Sequence, residues 1–401
     1  MTSKNETAES FRILTLNSIS SVGLKRLPAG RYACAGQVQD PDAILVRSQD
    51  MHAMEIPASV KAIGRAGAGV NNIPVDRMSR RGVPVFNAPG ANANAVKELV
   101  IAGVLLAARN LVPALTFTAG LKGDDKTLHK LVEDGKKQFS GFELPRHTLG
   151  VIGLGKVGSL VADAAIKLGM NVLGYDPHIT VDAAWSLPSQ VRKANSIEEV
   201  LKASDFVTLH VPLLDVTRGM IGTERIKLMK HGAILLNFSR EGIVDDDALL
   251  EALAAKRIRC YVCDFPAAKL QGHSEVVALP HLGASTREAE DNCAVMVVDE
   301  VRDFLENGNI LNAVNFPEVV MAREAPYRLA IANANVPSMV GQISTAMAKA
   351  GLNIHNMLNK SKGEMAYTLV DVDSTVPGGV CGEIGGIDGV LSVRYLPVND
   401  R

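Results

Sequence analysis

The sequence predicts an α/β protein with two doubly wound domains followed by a small α+β domain. Over most of the chain, short apolar runs alternate with segments of helical periodicity, which is typical of strand-turn-helix units. Many of the 35 glycines stand between an apolar run and a helical pattern, where strand-to-helix turns need them. A length of 401 residues is enough for two or three domains, each with its own core.

The first α/β series predicts a parallel sheet. Its strand-like runs are FRILTL (11–16), AILVRS (43–48), VKAIGRAG (60–67) and VPVFNAPG (83–90). A long amphipathic helix is expected from Ala93 to Leu111, broken before Pro113. The charged and weakly periodic stretch 120–147 predicts a surface excursion or a subunit contact.

A second series predicts another doubly wound domain over residues 98–287. Its strand-like runs lie at 148–158, 171–177, 204–212, 232–240 and 261–265, each followed by a turn and an apolar-periodic helix. Residues 288–306 carry apolar side chains at helical spacing and are expected to return the chain to the first domain. The first domain would then be discontinuous, formed by residues 1–97 and 288–318.

After a proline-bounded linker at 316–326 the pattern changes. YRLAIANA and MAYTLVDVD predict strands, SMVGQISTAMAKAG predicts a helix, and VLSVRYL predicts a last strand. No second helix is predicted in the glycine-rich stretch 375–389. We therefore expect residues 327–401 to form a separate small α+β domain.

Composition excludes several classes of protein. The chain is 47% hydrophobic and 21% charged, as ordinary globular proteins are. Because 42 Lys and Arg oppose 43 Asp and Glu, no global field attracts nucleic acid or an anionic membrane, and local cations must bind any anionic ligand. The apolar stretch 99–108 is too short to span a membrane, and the polar segment MTSKNETAES lacks a signal-peptide core, so a cytoplasmic location is expected.

The cysteines predict reduced thiols rather than disulfides or a metal site. There are five of them, and they are scattered: Cys34, Cys260, Cys263, Cys293 and Cys381. Cys260 and Cys263 form a C-x-x-C pair, but no second Cys or His pair stands at metal-ligand spacing. We expect no metal, and free thiols suit a reducing compartment.

A glycine motif predicts a dinucleotide site. Gly153, Gly155 and Gly158 form G-x-G-x-x-G directly after an apolar strand, and the helix expected from Lys156 would direct its N–H groups and positive dipole end at a pyrophosphate. Asp176 ends the next strand, where a carboxylate accepts hydrogen bonds from ribose hydroxyls and favours NAD over NADP. The alternative is a structural glycine turn in another kind of α/β protein.

Two charged residues are candidates for the chemistry. A nicotinamide enzyme needs a group that exchanges the substrate proton and a cation that orients the substrate's acid group. Arg240 and His281 each follow an apolar strand, at the edge where doubly wound sheets bind ligands. From placement alone, either one could equally be a surface residue.

Five segments carry a family resemblance that covers nearly the whole chain. GRAGAGVNNI, FNAPGANANAVKELV, LGVIGLGKVG, LLNFSREGIVDDDAL and LPHLGASTREAEDNCA, in this order, resemble the D-isomer-specific 2-hydroxyacid dehydrogenase family. The resemblance implies two Rossmann-like domains with the active site in the cleft between them. It also implies NAD-dependent oxidation of 3-phospho-D-glycerate to 3-phosphooxypyruvate, the first step of the phosphorylated route to L-serine.

The resemblance also implies roles for individual residues. His281 would be the acid/base, and Arg240 would hold the substrate carboxylate and C2 oxygen. The substrate would further contact the backbone nest at Gly67–Val70, the side chain of Asn87 and two phosphate-binding arginines; the positions are Arg47, Arg65, Ala68, Gly69 and Asn87. The cofactor would contact Gly153, Gly155, Lys156, Val157, Gly158, Asp176, Val211, Pro212, Phe238, Ser239, Asp264 and Gly283.

One departure from the family pattern concerns His281. The family places a glutamate where it supports the catalytic histidine, but this chain has Ala268 there, or Lys269 if the alignment shifts by one residue. Asp264 and Glu275 are the nearest acids in sequence. We expect weak or altered acid/base chemistry, since a carboxylate would stabilise the imidazolium.

The tail YRLAIANANVPSMVGQISTAMAKAGLNI resembles an ACT domain, an amino-acid-sensing module. This implies an effector site at a subunit interface, lined by Asn333, Asn335 and Asn353, with L-serine as the expected ligand and a dimer or tetramer as the assembly. The alternative is a domain that serves oligomerisation only.

Three functions therefore compete. A phosphorylated 2-hydroxy acid as a small-molecule substrate is favoured by Arg47, Arg65 and the ACT-like tail. Another D-2-hydroxyacid dehydrogenase, such as a glyoxylate or hydroxypyruvate reductase, is the first alternative. A catalytically weak NAD-sensing binding protein is the second, suggested by the missing glutamate. No nucleic-acid or membrane partner is expected.

Overall fold

The computed structural model of the protein describes residues 10–398 as two compact units. The first unit joins the chain up to Asn92 with the chain from Arg287 onward, and the second is Ala93–Thr286. Most of the polar N-terminal segment that bears on secretion, residues 1–9, lies outside the described residues, as do residues 399–401.

The first unit contains a five-stranded parallel sheet in the order β2-β1-β3-β4-β5. Because the strand order reverses between β1 and β3, a crevice for ligands is expected at the carboxyl ends of these strands. The strands and helices are β1 (Phe11–Leu16), α1 (Ser21–Leu24), β2 (Tyr32–Ala35), β3 (Ala43–Val46), β4 (Ala62–Arg65), α2 (Val75–Arg80) and β5 (Val85–Asn87).

The second unit contains a seven-stranded parallel sheet in the order β12-β11-β10-β9-β6-β7-β8. Its strands are β6 (Thr148–Ile152), β7 (Asn171–Tyr175), β8 (Arg192–Lys193), β9 (Phe206–Leu209), β10 (Ala233–Asn237), β11 (Ile258–Cys263) and β12 (Val276–Ala278). Its helices are α3 (Ala93–Ala108), α4 (Leu111–Gly120), α5 (Asp125–Gly135), α6 (Lys156–Lys167), α7 (Val181–Trp185), α8 (Ile197–Ala203), α9 (Thr223–Leu228) and α10 (Asp246–Ala254). Separate apolar clusters cover the two faces of the sheet, so the doubly wound prediction is confirmed.

The single helix predicted from Ala93 to Leu111 was wrong in its extent. Helix α3 ends at Ala108, Asn110 adopts a left-handed conformation with φ +49°, and α4 begins at Leu111. Pro113 lies in the first turn of α4, where its missing N–H breaks no helical hydrogen bond. Within residues 10–398 no single helix is long and apolar enough to cross a membrane; α3 and α4 pass that test only as a pair bent by 67°.

Helix α11 (Arg287–Asn307) returns the chain to the first unit, as the sequence predicts. It buries Val297, Val301 and Phe304 in the core against the first sheet. Gly64 on β4 makes this close approach possible, because an added Cβ would lie 2.8 Å from a methyl carbon of Val297 and of Val301. The first α/β domain is therefore discontinuous.

The C-terminal region forms a four-stranded antiparallel sheet in the order β14-β15-β13-β16. Its elements are β13 (Tyr327–Ala334), α12 (Met339–Lys349), β14 (Ile354–Lys362), β15 (Met365–Val372), α13 (Val380–Gly385) and β16 (Val390–Pro397). The α+β class is confirmed, but the prediction that residues 375–389 contain no second helix was wrong, because α13 lies there. Val380 and Ile384, four residues apart, bury one face of α13 among the side chains around α12 and so stabilise a glycine-rich helix.

The two faces of this antiparallel sheet have different partners. One face carries α12 and α13, whereas the other shares a core with the first α/β domain, through Ala330, Tyr367 and Leu369. The guanidinium of Arg394 lies 4.4 Å from the ring centre of Phe304 and donates to the last carbonyls of α11. The C-terminal sheet is thus part of the first unit's core.

Candidate active site

The glycine loop after β6 has the geometry that a dinucleotide needs. Gly153 has φ +93°, and an added Cβ there would lie 2.5 Å from the carbonyl oxygen of His210. An added Cβ on Gly158 would lie 1.9 Å from the carbonyl oxygen of Gly153, so neither position accommodates a side chain. At Gly155 an added Cβ meets nothing within 4 Å, which leaves the outer side of the turn open to phosphates. Helix α6 begins at Lys156, as predicted.

Asp176 follows β7 and lines a cavity of about 400 Å³ beside that loop. One carboxylate oxygen accepts a hydrogen bond from the N–H of Leu154 at 2.9 Å, and the other accepts one from the N–H of His178 at 2.9 Å. Each oxygen keeps a lone pair for a ribose hydroxyl. Apolar side chains, including Ile179 and Leu187, line the same cavity and suit a flat base.

Arg240 lies just beyond the carboxyl end of β10, in a turn held by its neighbours. The side-chain amide of Asn237 donates to the carbonyl of Arg240 at 2.9 Å, and the hydroxyl of Ser239 donates to the carbonyl of Val211. One guanidinium N–H of Arg240 donates to the carbonyl of Ser239 at 2.7 Å. No carboxylate of residues 10–398 lies within 4.0 Å of this half-buried guanidinium, so its remaining donors suit an anionic ligand.

His281 adopts a left-handed backbone with φ +55°, which is uncommon for a residue with a side chain and is typical of functional sites. The buried carboxylate of Asp264 holds the next two residues, accepting from the N–H groups of Leu282 and Gly283, each at 2.7 Å. The ring of Phe265 meets the imidazole edge to face, with centroids 5.0 Å apart. The imidazole itself is exposed.

No carboxylate supports the His281 ring in the part of the chain that the structure describes; none lies within 4.0 Å of its nitrogens. Ala268 begins a short 3-10 turn, and Lys269 pairs with Asp247 at 2.7 Å. Of the two candidate replacements, Asp264 spends both oxygens on backbone N–H groups, and the carboxylate of Glu275 accepts from the hydroxyl of Ser274 at 2.8 Å.

The structure brings Arg47 and Arg65 together at the carboxyl ends of β3 and β4. The Nε–H of Arg65 donates to the carbonyl of Arg47 at 3.0 Å. Gly67 leaves room for the Arg65 guanidinium, because an added Cβ would lie 1.6 Å from its Nη1. One Nη of Arg47 is 2.6 Å from a carboxylate oxygen of Glu290, a contact that the sequence analysis missed.

The predicted backbone nest has free donors. No acceptor among the described residues lies in hydrogen-bond reach of the N–H groups of Ala68 and Gly69. Asn87 fixes this loop, since its amide donates to the carbonyl of Ala68 at 2.5 Å, and the N–H of Ala88 donates to Gly67 at 2.9 Å. Asn87 therefore positions the nest.

Other predicted site residues have varied surroundings. The side chain of Phe238 is buried, and an added Cβ on Gly103 of α3 would lie 2.9 Å from its ring, so only the backbone of Phe238 can face a ligand.

His210 was not predicted as a site residue. It follows β9 beside Gly153, and burial lowers its pKa to about 3. The signal that singled out Arg240, a polar residue directly after a buried strand, also fits His210.

The three asparagines predicted to line an effector site make separate contacts. Asn333 is buried, with its amide donating to the carbonyl of Ala334 at 2.7 Å and its Oδ1 left without a partner among the described residues. Asn335 donates to the carbonyl of Gly363 at 3.0 Å, and Asn353 donates to the carboxylate of Asp373 at 2.5 Å. No side-chain hydrogen bond joins any two of the three.

The cysteines are free thiols. Burial raises the pKa of Cys260, on β11, to about 12, and burial also raises the pKa of Cys263, so neither thiol of the C-x-x-C pair is activated. Within residues 10–398 no group of three or more His, Cys, Asp or Glu side chains could hold a metal ion.

Comparison with known proteins places the chain in a family. Residues 113–283 match the family model described as D-isomer specific 2-hydroxyacid dehydrogenase, NAD binding domain. The D-3-phosphoglycerate dehydrogenase of Escherichia coli (strain K12) is 33% identical over 348 residues, which cover 84% of this chain and 81% of that protein. The chain belongs to the D-isomer specific 2-hydroxyacid dehydrogenase family.

Two further relatives bear on the extent of the match. The D-3-phosphoglycerate dehydrogenase of Methanocaldococcus jannaschii is 36% identical over 348 residues, but this chain spans only 62% of its length. The crystal structure of NAD+-bound 3-phosphoglycerate dehydrogenase from Entamoeba histolytica aligns with a TM-score of 0.59 at 25% identity, over 76% of this chain and 99% of that one. Residues 113–283 therefore correspond to the family's NAD-binding domain. The two parallel sheets described above are the fold that this chain shares with the Entamoeba histolytica enzyme.

Proposed function

We propose that the chain is an NAD-dependent dehydrogenase that oxidises 3-phospho-D-glycerate to 3-phosphooxypyruvate, the first step of the phosphorylated route to L-serine. Arg240 carries the proposal: its half-buried guanidinium, at the carboxyl end of a parallel strand and without a carboxylate partner among residues 10–398, suits the carboxylate of a 2-hydroxy acid. Family membership and curated relatives named D-3-phosphoglycerate dehydrogenase support the same assignment.

The described residues fit NAD. The glycine loop leaves space at Gly155, the first turn of α6 offers the N–H groups of Lys156 and Val157 to a pyrophosphate, and Asp176 suits the adenosine ribose. Bound NAD+ supplies the hydride acceptor. We propose that Val211, Pro212, Ser239 and Gly283, together with the backbone at Phe238 and Asp264, complete the cofactor's contacts.

The chain's own residues would then act on the substrate as follows. Arg240 binds the carboxylate with two parallel N–H donors, a geometry that lysine cannot reproduce. The free N–H groups of Ala68 and Gly69 suit the same anionic end, and Arg47 and Arg65 suit the phosphate. His281 accepts the proton of the C2 hydroxyl.

The unsupported histidine favours a second candidate, a catalytically weak NAD-binding protein. A carboxylate beside an imidazolium stabilises it, and the described residues place none beside His281. Ala268→Glu should therefore raise kcat in the oxidative direction about tenfold and move the acid limb of the pH-rate profile upward. The check is steady-state kinetics from pH 6 to 10. An unchanged profile, with Glu275→Gln abolishing activity, would show that Glu275 already supports His281.

One comparison tests the function itself. The rate of NADH oxidation is measured with three substrates: 3-phosphohydroxypyruvate (another name for 3-phosphooxypyruvate), hydroxypyruvate and glyoxylate. A kcat/KM at least 100-fold higher for the phosphorylated acid supports the proposal. A preference for glyoxylate or hydroxypyruvate assigns a reductase instead, and NADH binding without turnover of any of the three assigns the binding protein.

We further propose that the C-terminal region binds L-serine at Asn333, Asn335 and Asn353. The buried Oδ1 of Asn333, which lacks a partner among residues 10–398, supports this because such an atom gains from a donor such as an ammonium group. Isothermal titration of the full chain with L-serine should give saturable heat and inhibition. No heat and no inhibition would leave oligomerisation as this region's role.

Assembly and location complete the proposal. Helix α4 has no buried residue and exposes apolar side chains, with Leu115 67% exposed, which suits a contact with a second copy of the chain. Light scattering should show a homo-oligomer that Leu115→Glu dissociates. Five free thiols support a reducing, cytoplasmic location.

A further inference from the structure

A carboxylate of helix α11 contacts Arg47, one of the two arginines proposed to bind the phosphate. Glu290, in the first turn of α11, has an oxygen 2.6 Å from an Nη of Arg47, and the two side chains are 41% and 35% exposed. The other guanidinium N–H groups of Arg47 have no acceptor among residues 10–398. Arg47 thus has one donor occupied by Glu290 and others open to an incoming anion.

The surroundings of α11 show that both arginines lie close to its first turns. Cys293, three residues beyond Glu290, is buried, which raises the pKa of its thiol, and the guanidinium groups of Arg65 and Arg47 oppose that rise. Glu288, on the same turn as Glu290, is exposed and has no cation within 4.0 Å among the described residues. Glu290 is therefore the carboxylate of this turn that acts on Arg47.

We propose that Glu290 is a positioning and specificity-determining residue, which holds the Arg47 guanidinium as a counter-charge until the substrate's phosphate competes for it. This rests on the proposed function. A phosphate monoester carries about −1.5 to −2 charges near pH 7 and three acceptor oxygens, so it competes with one carboxylate for an arginine. An uncharged hydroxymethyl group or a hydrogen atom at that end of the substrate does not. Glu290 thereby keeps the affinity for phosphorylated acids below what Arg47 alone would give, and it leaves the affinity for unphosphorylated acids unchanged.

Two substitutions separate the charge of Glu290 from its hydrogen bond. Glu290→Gln keeps an acceptor oxygen for Arg47 but removes the negative charge that repels phosphate. Glu290→Ala removes both, so Arg47 loses its fixed position as well as its counter-charge. Glu288→Gln is the matched control, because it removes the same charge from the same turn without a contact to Arg47.

The experiment measures KM for 3-phosphohydroxypyruvate, KM for glyoxylate, kcat and inhibition by inorganic phosphate, at saturating NADH and fixed ionic strength. We expect Glu290→Gln to lower the KM of the phosphorylated acid and the inhibition constant of phosphate, each about three- to tenfold, with kcat and the glyoxylate KM changed less than twofold. Glu290→Ala should lose at least half of that gain in affinity. Glu288→Gln should match the unmodified enzyme.

Three results overturn the inference: an unchanged or higher KM for the phosphorylated acid in Glu290→Gln, an equal change for glyoxylate, or an equal gain in Glu288→Gln. A gain in Glu290→Ala as large as in Glu290→Gln overturns the positioning role. If no phosphorylated acid is turned over, the proposed function fails, and calorimetric titration of inorganic phosphate into the NAD-saturated enzyme decides this inference alone. Tighter binding by Glu290→Gln then supports it, and equal binding overturns it.

Discussion

Arg328 and Arg240 carry the same guanidinium group in opposite surroundings. Arg328, on β13, is 0% exposed, pairs with Asp371 at 2.6 Å and donates to the carbonyls of Asn307, Met321 and Ala322, each at 3.0 Å. Arg240 is half-buried, donates to one carbonyl of its own turn and has no carboxylate partner among residues 10–398. An arginine whose N–H donors are all hydrogen-bonded within the protein is therefore typical of a structural cation, whereas unfilled donors indicate a ligand site.

Breaking the ion pair between Arg328 and Asp371 should have the largest effect on stability. Arg328→Met leaves the buried carboxylate of Asp371 without its cation, so the free energy of unfolding should fall by about 3–5 kcal/mol. Urea denaturation followed by circular dichroism measures this. The double variant Arg328→Met/Asp371→Leu is the control, because it removes both charges and should recover at least half of the loss. Equal instability of the two variants would contradict the assignment.

Substitution of Arg240, the arginine proposed to bind the substrate, should lower activity without lowering stability. Arg240→Lys keeps a positive charge but loses the two-donor geometry, so kcat/KM should fall at least 100-fold, or about 2.7 kcal/mol. The melting temperature should stay within 1 °C of the unmodified protein's, roughly the noise expected for a site with no internal ion pair. Arg192→Lys, on exposed β8, is the control and should change neither quantity. A large fall in melting temperature with Arg240→Lys would make this arginine structural too.

Glu300 is an intermediate case and should give the smallest effect. It is 6% exposed on α11; its Oε1 accepts from the amide of Asn312 at 2.6 Å, while its Oε2 has no partner among the described residues. Burial raises its pKa from 4.5 to about 8. The native state therefore keeps a proton that the unfolded state releases, so this group's contribution to stability is present below about pH 4.5 and is lost as the pH rises through 8.

Glu300→Gln cannot ionise and should escape that loss. Relative to the unmodified protein, it should gain about 1 kcal/mol or more in unfolding free energy between pH 5 and pH 9, since one pKa unit corresponds to about 1.4 kcal/mol. Denaturation at the two pH values measures the gain. Glu318→Gln, an exposed acid, should show no pH-dependent gain. A flat response in Glu300→Gln would mean that Glu300 is ionised in the native state.

The sequence predicted the elements whose pattern is local. β1 and β13 have the predicted limits, and α6 begins at the predicted residue, because a continuous apolar run or a glycine turn defines each of them. Edge strands were missed: β8 has two exposed residues, and β14 is largely exposed, so neither shows an apolar period.

The candidate site divides in the same way. The glycine loop and Asp176 could be predicted because their geometry depends on one strand-turn-helix unit and the strand that follows it. The hydrogen bond by which Asn87 fixes the Gly67–Val70 loop could not be predicted, because it depends on how β4 and β5 lie side by side. Nothing local in the sequence reveals that no carboxylate of residues 10–398 lies beside His281, since any acid in the chain could have reached it.

The two doubly wound sheets, the dinucleotide loop and the family could be read from the chain alone, because they follow from periodicity and from motifs within a few dozen residues. Three features required the folded protein: the pairing of Glu290 with Arg47, the pairing of Arg328 with Asp371, and the core that the C-terminal sheet shares with the first domain. These contacts join segments 43 or more residues apart along the chain. Such pairings are set by how whole elements pack, and packing depends on the combined shape and burial of side chains from many segments.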